Sequence, residues 1–181
     1  MNRFGTPIRR RHILVVTGAS GAGKTEAVRA LATRALPGVS CFYFDSIGVP
    51  TPEEMDRKFG GGEGWQAHAT AEWLARIDSD SSKATVAVLD GQTRPSFVFD
   101  AADRAPHSTL SVVLLDCSRD ARVERLTGAR GQPELANERM DNWAVYLRGQ
   151  ADALGLPVID TTDLSVSATA DRLEAIVQQL E

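Results

Sequence analysis

Short apolar runs alternate with longer mixed stretches along the whole chain. Ile13–Thr17, Val39–Phe44, Thr85–Leu89, Leu110–Leu115 and Pro157–Ile159 carry almost no polar positions. Strands covered on both faces read this way, whereas a half-exposed strand would alternate apolar and polar residues. Between the runs the apolar spacing changes to three and four, the helical period. Thr25–Leu36 reads as a first helix, closed by Pro37-Gly38. Glu63–Ile77 places Trp65, Ala69, Trp73 and Ile77 at steps of four, which predicts a helix with both tryptophans in the core. Ser118 can cap a short helix that carries Val123 and Leu126 on one face. From near Pro133 the stripe Ala136, Met140, Trp143, Leu147, Ala151 and Leu154 predicts a long helix stopped by Gly155, and a last helix covers Thr169–Leu180. Strands and helices in alternation predict an α/β fold, a parallel sheet with helices on both faces. No repeat, low-complexity tract or linker divides residues 1–181, so they read as one domain.

Two segments break the rhythm. "FGGGEGW", Phe59–Trp65, has three adjacent glycines, which are costly inside a regular element. "TGARGQPELA", Thr127–Ala136, lies between two predicted helices. Both follow strands, where loops that carry function collect.

The first strand runs into Gly18-Ala19-Ser20-Gly21-Ala22-Gly23-Lys24-Thr25, which matches G-x-x-x-x-G-K-[ST] between a strand and a helix. Small residues let the chain curl so that backbone N–H groups wrap phosphate oxygens. The following helix then directs its free N–H groups and positive dipole end at the same anion. Lys24 is expected to reach the β- and γ-phosphates, and the Thr25 hydroxyl to hold Mg²⁺. The spacing therefore predicts a nucleoside triphosphate site.

Carboxylates end three of the strands. Asp90 closes the third and is the candidate metal carboxylate, with Asp116 after the fourth as its competitor. Asp45 closes the second, where ligands gather in open α/β sheets, and is either a general base or a turn-capping residue. His68 lies one step off the tryptophan stripe and reads as structural.

Composition narrows the classes. Of 181 residues, 43% are hydrophobic and 24% charged, a balance suited to a globular chain, and the formal net charge of −4 gives no overall attraction to nucleic acid. Cys41 and Cys117 form no metal spacing and read as buried reduced thiols, which suits a cytoplasmic protein. Arg9–Arg11 precede an apolar run too short for an export signal and read as a solvated lead into the first strand.

Taken together, the phosphate loop, "LDGQTRP", "RLTGAR" and "LPVIDTT" resemble the small P-loop kinases of the nucleoside-monophosphate-kinase-like group, among them shikimate, gluconate and adenylate kinases and chloramphenicol phosphotransferase. The resemblance implies a three-layer P-loop NTPase fold, a five-stranded parallel sheet in the order 2-3-1-4-5. It implies a substrate-binding insertion at about 46–80 and a lid at about 125–138. "LDGQTRP" is similar to the D-G-x-x-R-[ST] segment of nucleotide kinases, which implies a substrate contact for Arg94. "RLTGAR" is similar to the arginine pair of their lid, with one residue more between Arg125 and Arg130. It implies that Arg125 packs on the adenine and that Arg130 meets phosphates. Arg139, off the apolar stripe, is a further candidate for the acceptor, while Arg119 and Arg122 read as surface charges.

The expected activity is Mg²⁺-dependent transfer of the γ-phosphoryl group of ATP to a small molecule by a monomer or homodimer. Lys24, Asp45, Arg125 and Arg130 are the expected catalytic residues, and Thr25 and Asp90 hold the metal. Two rivals stand beside it: a 5′-hydroxyl polynucleotide kinase, and a regulatory nucleotide-dependent switch that binds a protein partner.

Overall fold

The computed structural model describes residues 10–82, 84–128 and 130–180. Among these residues five strands and seven α-helices follow in the order β1 (Arg11–Thr17), α1 (Lys24–Thr33), β2 (Val39–Tyr43), α2 (Pro52–Phe59), α3 (Gly62–Asp78), β3 (Val86–Asp90), α4 (Pro95–Asp100), β4 (Ser108–Asp116), α5 (Arg119–Thr127), α6 (Glu138–Leu154), β5 (Val158–Asp160) and α7 (Val166–Leu180), with one or two helices between successive strands. The strands form one parallel sheet in the order β2-β3-β1-β4-β5, as expected. Val16 pairs with Asp90, Tyr43 with Asp90, Thr17 with Leu114 and Asp116 with Asp160. This register brings the carboxyl ends of the strands, and the acids that close them, to one rim.

The strands bury both faces because neighbouring side chains point to opposite sides. Leu14 and Val16 of β1 pack with Val28 and Leu31 of α1 and Leu173 and Val177 of α7. Ile13 and Val15 pack on the other face with Trp73, Leu74 and Ile77 of α3 and Val98 of α4. Leu147 and Ala151 of α6 cover Leu114. Trp73 is buried as its spacing predicts, and its indole N–H donates to the Phe44 carbonyl. Trp65 is half-buried and packs at the margin of the same core.

Several local readings are corrected. Helix α2 falls inside the region read only as an insertion, although its start is written in Thr51-Pro52-Glu53-Glu54: the Thr51 side chain accepts from Glu54 N and Glu54 reaches back, a capping box. The triple glycine does not interrupt helix throughout. Gly60 and Gly61 turn with φ of 73° and 115°, and Gly62 already belongs to α3. Gly64 is needed there, since a Cβ would stand 1.9 Å from the Phe59 carbonyl oxygen. The segment near Pro133 forms a separate 3-10 turn, and α6 starts only after Asn137 caps Met140. Arg11 is not a solvated lead. It lies within β1, and its guanidinium donates to the carbonyls of Ala84, Asp80, Ser82 and Ile77. Arg9 lies outside the described residues. Cys117 is buried and Cys41 half-buried, and both are free thiols. Among the described residues no helix is long and apolar enough to cross a membrane.

Candidate functional site: a phosphate loop between two cavities

The turn from β1 to α1 forms the floor of the site. Gly18, Gly21 and Gly23 hold φ of 154°, 85° and 88°, and the first two are also closely packed. A Cβ on Gly18 would lie 2.2 Å from the Leu115 carbonyl oxygen, and one on Gly21 would lie 2.8 Å from Cγ of Arg122. Close packing of backbone on the end of β4 and on α5 therefore excludes side chains at these positions. Lys24 opens α1, where its buried ammonium donates to the Ala19 carbonyl at 3.1 Å. Burial lowers its pKa from the usual lysine value, with the Asp90 carboxylate opposing that shift.

Thr25 and Asp90 meet directly. The hydroxyl donates to Asp90 Oδ2 at 2.7 Å, while the buried Oδ1 has no partner among the described residues. Burial raises the Asp90 carboxyl above its ordinary value, and Lys24 and Thr25 work against this. A hydroxyl beside an unpartnered buried carboxylate oxygen is the donor set a magnesium ion takes, directly or through water, so the residues fit that ion. Asp116 is used otherwise. Its Oδ1 accepts from Cys117 N at 2.9 Å and its Oδ2 lies 3.6 Å from Arg148.

Two cavities open from this floor. The larger, about 840 Å³, runs past Gly23, Lys24 and Thr25 toward Arg125, Thr161, Leu164 and Val166. The smaller, about 260 Å³, lies at the ends of β2 and β3, between Ser20, Lys24, Thr25, Asp45, Asp90 and Gln92. Asp45 and Arg130 line both. Asp45 sits in the 3-10 turn Phe44–Ile47, exposed, and its carboxylate makes no hydrogen bond among the described residues. It therefore caps no turn there.

The other arginines divide. Arg125 is held by carbonyls of Gly21, Thr161 and Thr162, and Arg130 is exposed at the mouth. Arg94 lines neither cavity. Its guanidinium donates to Gln66 Oε1 at 2.7 Å, pairs with Glu63 at 3.1 Å and lies over the rings of Phe97, Trp143 and Tyr146. Arg139 is exposed on the first turn of α6 and lines neither cavity. Arg122 is buried rather than a surface charge, and with Arg119 it binds Asp141 of α6. Thr161 and Gln92 fall within the quoted "LPVIDTT" and "LDGQTRP" stretches but received no role of their own, and Gln66 was not singled out. Gln66 donates to the Gln92 carbonyl and Ser20 to the Gln92 side chain, which joins the phosphate loop to α3. Each is an ordinary polar residue whose role appears only once the strands are paired.

No protein-family model matches the chain. A nucleotide-binding protein of Lactobacillus gasseri is 32% identical over 134 residues, 71% of this chain and 38% of the relative, and one from Lactobacillus johnsonii matches equally. The chain thus spans well under half the length of these curated relatives. Among solved structures, the tunicamycin resistance protein of Deinococcus radiodurans superposes with a TM-score of 0.66 at 20% identity, over 93% of this chain and 96% of that one. Shikimate kinase from Acinetobacter baumannii gives 0.59 at 18%, over 96% and 94%. A gluconokinase from Sinorhizobium meliloti gives 0.58 at 19%, over 94% and 98%. At such identities the likeness establishes the fold alone, the five-stranded parallel α/β fold that these three structures share.

Proposed function

We propose that the chain transfers the γ-phosphoryl group of ATP to a hydroxyl or phosphate of a small molecule. The observation that carries this reading is the second chamber, in which Asp45 shares a cavity with Lys24, Thr25 and Asp90. A loop that only held nucleotide would need no such space beside the γ-phosphate position. The triphosphate would occupy the larger cavity, with its phosphates on the amides of Gly18–Thr25 and on Lys24. Thr25 and Asp90 would hold Mg²⁺, which supplies charge neutralisation of the phosphates when bound. Asp45 is positioned to take the proton of an acceptor hydroxyl, and its lack of other partners keeps it available. Arg130 supplies positive charge from the lid, about 125–138, where charge develops in transfer. In the conformation described, the Arg125 terminal nitrogens are spent on carbonyls, so its proposed part is to hold the nucleotide. The segment at about 46–80, with α2 and the start of α3, would close the acceptor side. The unpaired thiols suit the cytoplasm.

A regulatory nucleotide switch is the second reading, favoured by relatives known only as nucleotide-binding proteins and by how little of their length the chain spans. ATP consumption with Mg²⁺ across nucleosides, nucleotides, sugars, antibiotics and short RNAs separates the two. A compound that raises turnover and itself gains phosphate identifies a kinase and its acceptor class. Tight ATP binding with no acceptor in the panel would favour the switch. Lys24→Ala is the control: turnover should fall by about 10²–10³-fold, the scale of a lost oxyanion contact, and unchanged turnover would sink the phosphate-site assignment.

A further inference from the structure

Thr161, immediately after β5, is a buried residue with an unusually occupied hydroxyl. Its Oγ1 lies 3.0 Å from the Ala22 carbonyl oxygen and 3.1 Å from that of Asp116, and it accepts from Arg125 Nη1 at 3.1 Å. One hydroxyl proton serves one carbonyl at a time, and a lone pair receives the arginine. Arg125 Nη2 also donates to the carbonyls of Thr161 at 2.5 Å and Thr162 at 3.2 Å, and Nη1 lies 3.3 Å from the Gly21 carbonyl oxygen. Guanidinium hydrogens lie in the plane of the group, so these bonds use up its terminal edge and leave its flat faces. Arg125 meanwhile lines the larger cavity in company with Leu164 and Val166. A pinned cationic plane beside apolar side chains suits a flat aromatic ligand, not a phosphate.

We propose that Thr161 is a positioning residue for nucleotide recognition. Its hydroxyl ties Arg125 to the phosphate loop through Ala22, so that the guanidinium face stands as one wall of the nucleobase site. Base and phosphates are thereby set in fixed relation, because one side chain touches the supports of both. The inference rests on the larger cavity being the nucleotide site.

Calorimetric titration of the full chain with ATP, and separately with inorganic tripolyphosphate, tests it. Thr161→Val keeps the side-chain shape and removes the hydroxyl. It should weaken ATP binding by about tenfold while tripolyphosphate stays within about twofold, since the hydroxyl meets the loop only at the Ala22 carbonyl, and Lys24, which would hold the phosphates, bonds Ala19 instead. Thr161→Ser restores the hydroxyl and should bind both ligands as the unaltered chain does. In an Arg125→Ala background, Thr161→Val should add little further loss of ATP affinity, because the two act as a unit. Equal ATP affinity for Thr161→Val and the unaltered chain would overturn the proposal. So would a parallel loss of both ligands, which would show that the hydroxyl supports only the phosphate loop, or failure of Thr161→Ser to restore binding. If Thr161→Val does not fold, Thr161→Ala carries the same comparison with the same outcomes. An unaltered chain that binds neither ligand contradicts the nucleotide site itself, and is recognised without any variant.

Discussion

The Thr25 hydroxyl donates to Oδ2 of Asp90 at 2.7 Å, across 65 positions of sequence. That bond orients the carboxylate and leaves Oδ1 buried without a partner among the described residues. Asp90→Asn keeps the shape and removes the charge. The gain in ATP affinity on adding Mg²⁺ should then shrink by on the order of 10–100-fold, while affinity measured with a chelator changes little. Titrations with and without the ion provide the check, and an undiminished magnesium effect would move the metal role to another carboxylate.

Two glycines should respond in opposite directions to alanine. Gly18→Ala drives a Cβ to 2.2 Å from the Leu115 carbonyl oxygen and should cost about 1–3 kcal/mol or more, the range for overpacking. Gly149 lies inside α6 with no atom near the position of its missing Cβ. Gly149→Ala should therefore stabilise by about 0.5–1 kcal/mol, through the lost backbone freedom of the unfolded chain. Urea unfolding of the two variants reads both signs.

Asp141 joins α6 to α5, at 2.7 Å from Arg122 and 2.8 Å from Arg119. The Arg122 guanidinium, and then that of Arg119, hold its carboxyl below the usual aspartate value. A carboxyl lowered on folding stabilises fully above its unfolded pKa, about 3.9, and the contribution disappears as pH falls through the folded value. Asp141→Asn should lower the melting temperature by roughly 3–6 °C at neutral pH, the shift expected for a lost bond to a buried charge. The gap to the unaltered chain should close in acid below that value. A gap independent of pH would mean that packing, not charge, joins these helices.

Burial pushes the Cys41 thiol up to about 11. The thiolate is the reactive form, so alkylation of Cys41 at pH 8 should run on the order of 100-fold slower in the folded chain than in denaturant. Mass-spectrometric counting of labelled cysteines over time gives the rates. Equal rates would place the thiol in open solvent.

The strands and the phosphate loop were legible because their signals are local. Five apolar runs name five strands, and Gly18–Thr25 fixes its own flanks by motif. Asp90 and Asp45 could be picked out because a carboxylate ending a buried strand must stand at the rim. Arg122 and Thr161 were not legible. Whether an arginine on an amphipathic helix meets solvent or a buried aspartate depends on the helix that packs beside it, and Asp141 comes 19 residues later. Arg94 shows the same limit from the other side. Its motif implied a substrate contact, but Glu63 and Gln66 of α3 and the rings on α4 and α6 claim its guanidinium. Helix α2 is a different case, since its capping box stands in Thr51–Glu54 as a local signal and went unread.

The central place of β1 carries a consequence for how the chain is made. The strand emerges first, yet its two neighbours are β3, ending at Asp90, and β4, ending at Asp116. During synthesis one of its edges stays unpaired until Asp90 has left the ribosome, and the other until Asp116 has. The backbone of Leu115 against which Gly18 packs arrives later still than β3. Long loops must therefore close before the phosphate cradle exists, which makes folding slow and leaves an apolar strand exposed to wrong pairing in the meantime. A nascent chain stalled before β4 should hold no nucleotide, whatever the state of the loop sequence itself.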